Sequence, residues 1–130
     1  MSIPRTVHVA LGLVERNGRY LICQRPLDKF LGGYWEFPGG KCEPTESWET
    51  CLRRELHEEL GISLRGVRRI GRMRYGYGTL VIDFMILRTT LVGSPKSLEG
   101  QRLRWVFPRQ LRRYRFPPAN RTLIARLSRT

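Results

Sequence analysis

Residues 40–62 read GKCEPTESWETCLRRELHEELGI, and the local rules of helix formation divide this stretch into a loop and a helix. Ser47 is a good N-cap, Glu49 falls in the first turn, where the helix dipole favours an anion, and Gly61 follows as a C′ stop. The expected helix runs from Trp48 to Leu60. At about 3.6 residues per turn, Cys51, Leu52, Leu56 and Leu60 form an apolar stripe, while Glu55, Glu58 and Glu59 share a face through i,i+3 and i,i+4 spacing. Three carboxylates are therefore expected to converge. Like charges at that spacing destabilise an isolated helix by about 0.2–0.5 kcal/mol per pair, and a cation relieves the repulsion. Oxygen ligands select a hard ion such as Mg²⁺, with Mn²⁺ as a substitute, and no His or Cys pair is spaced for zinc. The alternative is a solvated acidic face with Arg53 and Arg54 as counter-ions.

Glu46 and Arg54 suit a strap. A loop folding back on its helix can set Glu46 against the planar guanidinium fork, which holds a carboxylate bidentately and fixes the loop over the helix face. The segment Phe37-Pro38-Gly39-Gly40-Lys41 ends the preceding strand; its glycines let backbone carbonyls and amides approach metal and phosphate, and Lys41 is placed to meet phosphate charge.

The remaining chain reads as α+β. Val7, Val9, Leu11 and Leu13 alternate with His8, Ala10 and Gly12, and Asn17-Gly18 marks a tight hairpin into Tyr20 to Cys23. Tyr34 to Phe37 is a short strand, and Arg68 to Tyr75 and Leu80 to Thr90 read as strands around a turn at Gly76-Tyr77-Gly78. Leu103 to Val106 is another strand, and Asn120 to Leu127 a closing helix. At 130 residues the chain, 1–130, is expected to form a single domain. It lacks the apolar run of a secretory signal or a membrane span, so a cytoplasmic protein is expected. Cys23, Cys42 and Cys51 are odd in number and form no CxxC, which reads as free, mostly buried thiols. Lys and Arg number 24 against 11 Asp and Glu, a net charge of +13. Such an excess either focuses a polyanionic ligand, a nucleoside triphosphate or non-specifically bound nucleic acid, or is simply a solvated basic surface. No zinc finger, helix-turn-helix or RNP-like pattern accompanies it.

Taken together, Gly40, five residues, Glu46, seven residues and then Arg54 to Ile62 resemble the Nudix box at every fixed position. Nudix hydrolases use divalent metal to cleave a diphosphate linkage in nucleoside diphosphates joined to another group. The resemblance spans essentially the whole chain and implies an α/β/α sandwich with a mixed β-sheet between helices. Trp35 to Lys41, Glu99-Gly100-Gln101 and Phe116-Pro117-Pro118-Ala119-Asn120 resemble the MutT type in particular, which hydrolyses oxidised guanine nucleotides and so sanitises the nucleotide pool for DNA replication and repair.

Carried over residue by residue, this resemblance implies Gly39 and Glu59 as primary metal ligands and Glu55 and Glu58 as further ligands or base. Gly40 falls in the same metal-binding turn, Glu99 is an additional acid, and Glu46 and Arg54 orient the site. Arg25 would contact nucleotide phosphate, Glu36, Phe37, Pro38 and Gly39 would line the nucleotide pocket with Lys41 and Tyr77, and Asn120 would read the base. Where MutT-type proteins can offer a His after the second strand, this chain has Phe30, a departure that leaves that contact open. Asp83 either faces the pocket or is solvated, and His57 is exposed. The implied reaction is Mg²⁺-dependent hydrolysis of 8-oxo-dGTP to 8-oxo-dGMP and pyrophosphate. The rivals are another nucleotide substrate (a cytosine nucleotide, a dinucleoside polyphosphate or ADP-ribose) and a nucleic-acid-binding module on a Nudix scaffold. The pattern does not choose between monomer and dimer, nor which Glu is the base.

Overall fold

The computed structural model describes residues 3–129; Met1, Ser2 and Thr130, the ends of the expected domain, lie outside them. Strands β1 (Arg5–Arg16), β2 (Arg19–Gln24), β3 (Trp35–Glu36) and β4 (Gly39–Lys41) precede helix α1 (Trp48–Leu60). Strands β5 (Ser63–Tyr77), β6 (Leu80–Val92) and β7 (Arg102–Val106) follow, then 3-10 turns at Pro108–Arg113 and Pro118–Asn120 and helix α2 (Arg121–Leu127). Among the described residues these strands form one mixed sheet with the path β3-β2-β1-β6-β5, to which β4 is added on β1 and β7 on β2. The β1–β6 pair is parallel and the other pairs are antiparallel. β5 is therefore an outermost strand.

Helix α1 begins and ends where its caps dictate. Ser47 accepts a hydrogen bond from the Thr50 amide, and Gly61, in the left-handed region at φ 67°, donates to the His57 carbonyl. Its buried face is Cys51, Leu52, Leu56 and Leu60, which packs with Ala10, Val14, Leu21 and Leu87 of the sheet. Full burial of each leucine contributes about 1.5–3 kcal/mol. Gly12 lets this helix sit close, since a Cβ there would stand 3.2 Å from a Leu52 methyl.

The opposite sheet face carries Leu11, Leu13, Tyr20 and Ile22 against Leu111, Leu123 and Ile124. β1 is thus buried on both faces from Ala10 to Val14, so Ala10 and Gly12 are not a polar side of an alternating strand, whereas His8, nearer its start, is exposed. The sheet lies between α1 and α2, as the sandwich requires. At the β1–β2 hairpin Asn17 and Gly18 both have positive φ, 52° and 76°, as a tight two-residue turn demands.

Three local expectations are corrected. Tyr77 belongs to β5 and not to the following turn, because β5 and β6 stay paired out to Tyr77 and Leu80. Cys42 and Cys51 are joined in a disulfide, their Cα atoms 5.2 Å apart, because the loop from Cys42 folds back onto the first turns of α1; only Cys23 is a free, buried thiol. Asp83 neither faces the pocket nor meets solvent. It is 2 % exposed and accepts two hydrogen bonds from Arg72, at 3.0 and 2.6 Å, with His8 Nε2 3.6 Å away.

Candidate active site

The loop before α1 is held as a strap. Arg54 Nε and Nη2 donate to the two Glu46 oxygens at 2.6 and 2.9 Å, the Glu43 amide donates to Glu46 at 2.8 Å, and Arg54 also reaches the Lys41 carbonyl at 3.0 Å. These bonds hold the Glu46 carboxyl well below its ordinary range, at about 2. Its contribution to stability is thus present above the ordinary carboxylate pKa and is lost only as the pH falls toward 2.

The strap closes over strand β4, whose two glycines do different jobs. A Cβ on Gly39 would collide with the Ala10 carbonyl of the paired β1, whereas a Cβ on Gly40 would collide with the Glu55 carboxylate. The first obstacle is rigid backbone and the second is the end of a side chain. Gly39→Ala should therefore lower thermal stability and break the β1–β4 pairing, whereas Gly40→Ala should melt near the wild-type temperature with Glu55 displaced and activity lost. Paired melting curves and turnover assays check this.

The box glutamates do not close into one set of three, and no three His, Cys, Asp or Glu among the described residues stand ready to hold an ion. Arg54 divides them, donating to Glu55 at 3.1 Å and to the half-exposed Glu58 at 3.4 Å. Glu59 turns the other way, into a cavity of about 910 Å³ that Glu36 and Glu99 also line. Its Oε2 is buried without a hydrogen-bond partner among the described residues. An orphaned buried carboxylate oxygen beside glycine backbone and further carboxylates fits a hard divalent cation. Burial, followed by repulsion from Glu55, Glu99, Glu36 and Glu58, pushes the Glu59 carboxyl up to about 9 in the metal-free protein. Burial also raises Glu55, and raises Glu36 despite its 3.3 Å contact with Arg25.

The consequence can be measured. A cation needs the charged form, so Mg²⁺ added to metal-free protein at pH 7 should release about one proton, and its apparent affinity should climb roughly tenfold per pH unit up to about pH 9. Isothermal titration in buffers of different ionisation enthalpy reads both. Without metal, the raised pKa makes the folded state bind the extra proton, so Glu59 costs stability progressively as the pH rises from the ordinary carboxylate range toward 9.

The same cavity is lined by Arg25, Phe37, Gly39, Gly40, Lys41, Tyr77 and Asn120, all expected at the site. Pro38 is not among them; it is buried and its carbonyl accepts from the Gly12 amide at 2.8 Å. Phe30 stands at the cavity but is 83 % exposed, and His57 is exposed as expected. Asn120 is buried at the start of α2, yet its side chain makes no capping hydrogen bond. Leu80, Ile82 and Phe84 also line the cavity; their period of two along β6 was the available signal. The Cys23 thiol, raised by burial and by Glu59 and Glu36, lies in the wall too.

Carboxylates, an orphaned oxygen and a glycine strand open together into a partly apolar cavity, an arrangement whose chemistry could hold a divalent cation beside a phosphorylated organic ligand. The chain belongs to the NUDIX domain family, whose model matches residues 9–126. It is 36 % identical to an 8-oxo-dGTP diphosphatase of Haemophilus influenzae over 95 % of this chain and 92 % of that one. It is 34 % identical to a CTP pyrophosphohydrolase of Escherichia coli over 92 % of this chain and 90 % of that one. A solved structure from work on MutT of Aliivibrio salmonicida and Vibrio cholerae superposes with a TM-score of 0.80 at 35 % identity, covering 96 % and 98 % of the two chains.

Proposed function

We propose that this chain hydrolyses a nucleoside triphosphate between the α and β phosphates, with 8-oxo-dGTP as the preferred substrate and 8-oxo-dGMP and pyrophosphate as products. One observation carries the reading: a single cavity of about 910 Å³ holds Glu59, Glu99 and the Gly39–Lys41 strand together with an apolar wall of Leu80, Ile82 and Phe84 and the buried amide of Asn120. Sites of roughly 300–1,000 Å³ suit ligands of this size. The H. influenzae relative bears the name of this activity.

Glu59 and Glu55, with the Gly39–Gly40 backbone, Glu58 and Glu99, are the residues that would hold Mg²⁺ or Mn²⁺. When bound, such an ion polarises phosphoryl oxygens and lowers the pKa of water. Arg25 and Lys41 meet phosphate charge, a Glu of the cluster or Glu99 accepts the proton of the attacking water, and Glu46 with Arg54 keeps the loop in place. No helix among the described residues is long and apolar enough to cross a membrane.

A cytosine nucleotide is the second reading, favoured by the E. coli relative named for CTP. The nucleic-acid reading is weakened by how the arginines are used. Arg69 is bonded to Glu49 and Arg72 to Asp83, Arg19 and Arg109 lie over the Phe107 ring, and Arg115 lies over Tyr34. Chromatographic measurement of the nucleotide products formed from 8-oxo-dGTP, dGTP, CTP, a dinucleoside polyphosphate and ADP-ribose with Mg²⁺ tests the proposal. The highest kcat/KM on 8-oxo-dGTP is expected; highest efficiency on CTP would transfer the assignment to the second reading.

A further inference from the structure

The last carbonyls of a helix have no partner within it. At the end of α1 they are met by a distant loop: Lys96 donates its amide to the Leu60 carbonyl at 2.9 Å, and Leu98 donates to Glu59 at 3.2 Å. Gln101 makes a third bond to this helix end, its Nε2 donating to the Glu59 carbonyl at 3.3 Å. The other end of the same amide turns back on the loop. Its Oε1 accepts the Glu99 amide at 3.0 Å, and the single Ser97 hydroxyl hydrogen is shared between this oxygen, at 3.0 Å, and the Gln101 carbonyl. Gln101 is 9 % exposed and Glu99 is exposed, so a buried group bonds the backbone of an exposed, carboxylate-bearing turn. Lys96 and Leu98 anchor the same loop through their backbone amides, and Gln101 adds the side-chain bond to the Glu99 backbone.

We propose that Gln101 is a positioning residue, its side-chain amide clamping the Glu99 turn to the backbone of Glu59 so that two carboxylates from distant parts of the chain keep a fixed separation across the cavity. This rests on the reading of Glu99 as an acid used in hydrolysis. Gln101 lines the cavity, but its Oε1 and one Nε2 hydrogen are engaged within the protein, which turns most of the amide's hydrogen-bonding capacity to the clamp.

The test is a double-mutant cycle on 8-oxo-dGTP hydrolysis with Mg²⁺, using Gln101→Leu, Glu99→Gln and the pair, with hydrogen exchange at the Glu99 amide as a readout independent of turnover. Partners that orient a ligand cost roughly 10–100-fold when removed. Gln101→Leu should therefore lower kcat about tenfold or more with KM nearly unchanged and should speed Glu99 amide exchange. In the Glu99→Gln background the same change should cost less than about twofold, because coupled sites are not additive. Ser97→Ala, at an exposed position that leaves the core intact, should give a smaller loss of kcat, about two- to tenfold. Full additivity of Gln101→Leu and Glu99→Gln, a loss confined to KM, or wild-type kcat and exchange in Ser97→Ala would each overturn the clamp. Wild-type kcat in Glu99→Gln itself would instead overturn the reading of Glu99, a result distinct from all of these.

Discussion

A Glu59→Gln protein is expected to fold normally and to turn over 8-oxo-dGTP at less than about one hundredth of the wild-type rate. Partners that merely orient a metal ligand are worth roughly 10–100-fold, so loss of charge from the ligand itself should exceed that range. Folding should survive for a specific reason. Burial, followed by repulsion from Glu55, Glu99, Glu36 and Glu58, favours the protonated form of Glu59 at neutral pH without metal. A neutral amide of the same shape carries no titrating proton, so the metal-free variant should match or exceed wild-type stability, with the advantage growing as pH rises toward 9 and the wild-type protein must hold its proton against a less acidic solvent. The proton released on Mg²⁺ binding should disappear as well. Near-normal turnover in a folded Glu59→Gln protein would remove Glu59 from the metal site.

The second large effect concerns the base. Guanine presents O6 and N7 as acceptors on its Hoogsteen edge, whereas in 8-oxoguanine N7 carries a hydrogen and donates. A side-chain amide offers one donor beside one acceptor, which complements the oxidised base and opposes an acceptor to ordinary guanine. Asn120 is the amide in question. It lines the cavity, is buried, and is not used as a helix cap. A bidentate pair is worth about 1–3 kcal/mol, and a site left with unpaired buried groups can reject the wrong substrate by roughly 10⁴-fold. Wild-type enzyme should therefore prefer 8-oxo-dGTP strongly over dGTP, and Asn120→Ala should collapse that ratio mainly through KM for the oxidised nucleotide. A ratio unchanged by the mutation would mean that Asn120 does not read the base, even in an active hydrolase.

What was legible in the sequence was local. The limits of α1 followed from Ser47 and Gly61, and the Glu46–Arg54 strap from a loop short enough to return to its own helix. Contacts made across the sheet left weaker traces. Gly39 to Lys41 reads as a turn but pairs with β1, because two glycines give no strand signal and only the β1 partner stabilises the extended form. Asp83 reads as an interruption in β6 because its partners, Arg72 and His8, come from the two neighbouring strands. The Cys42–Cys51 pair was concealed by a count of three, and the role of Gln101 by a motif that drew attention to Glu99. Convergence of the three box glutamates followed from helix geometry, but helix geometry places Cβ atoms; Arg54 decides where the carboxylates go.

β5 offers one more consequence. It is 15 residues long, lies at the margin of the sheet, and among the described residues pairs on one side only. A strand margin of this length is a template on which another chain can add and begin aggregation. Here it carries Arg65, Arg68, Arg69, Arg72 and Arg74 at exposed positions, so two copies approaching margin to margin would bring like charges together before any backbone bond could form. Part of the +13 charge is thus placed where it guards solubility, and replacing Arg65, Arg68 and Arg74, which unlike Arg72 hold no buried carboxylate, with threonine should leave the cavity intact while making the protein precipitate along a sheet-forming route.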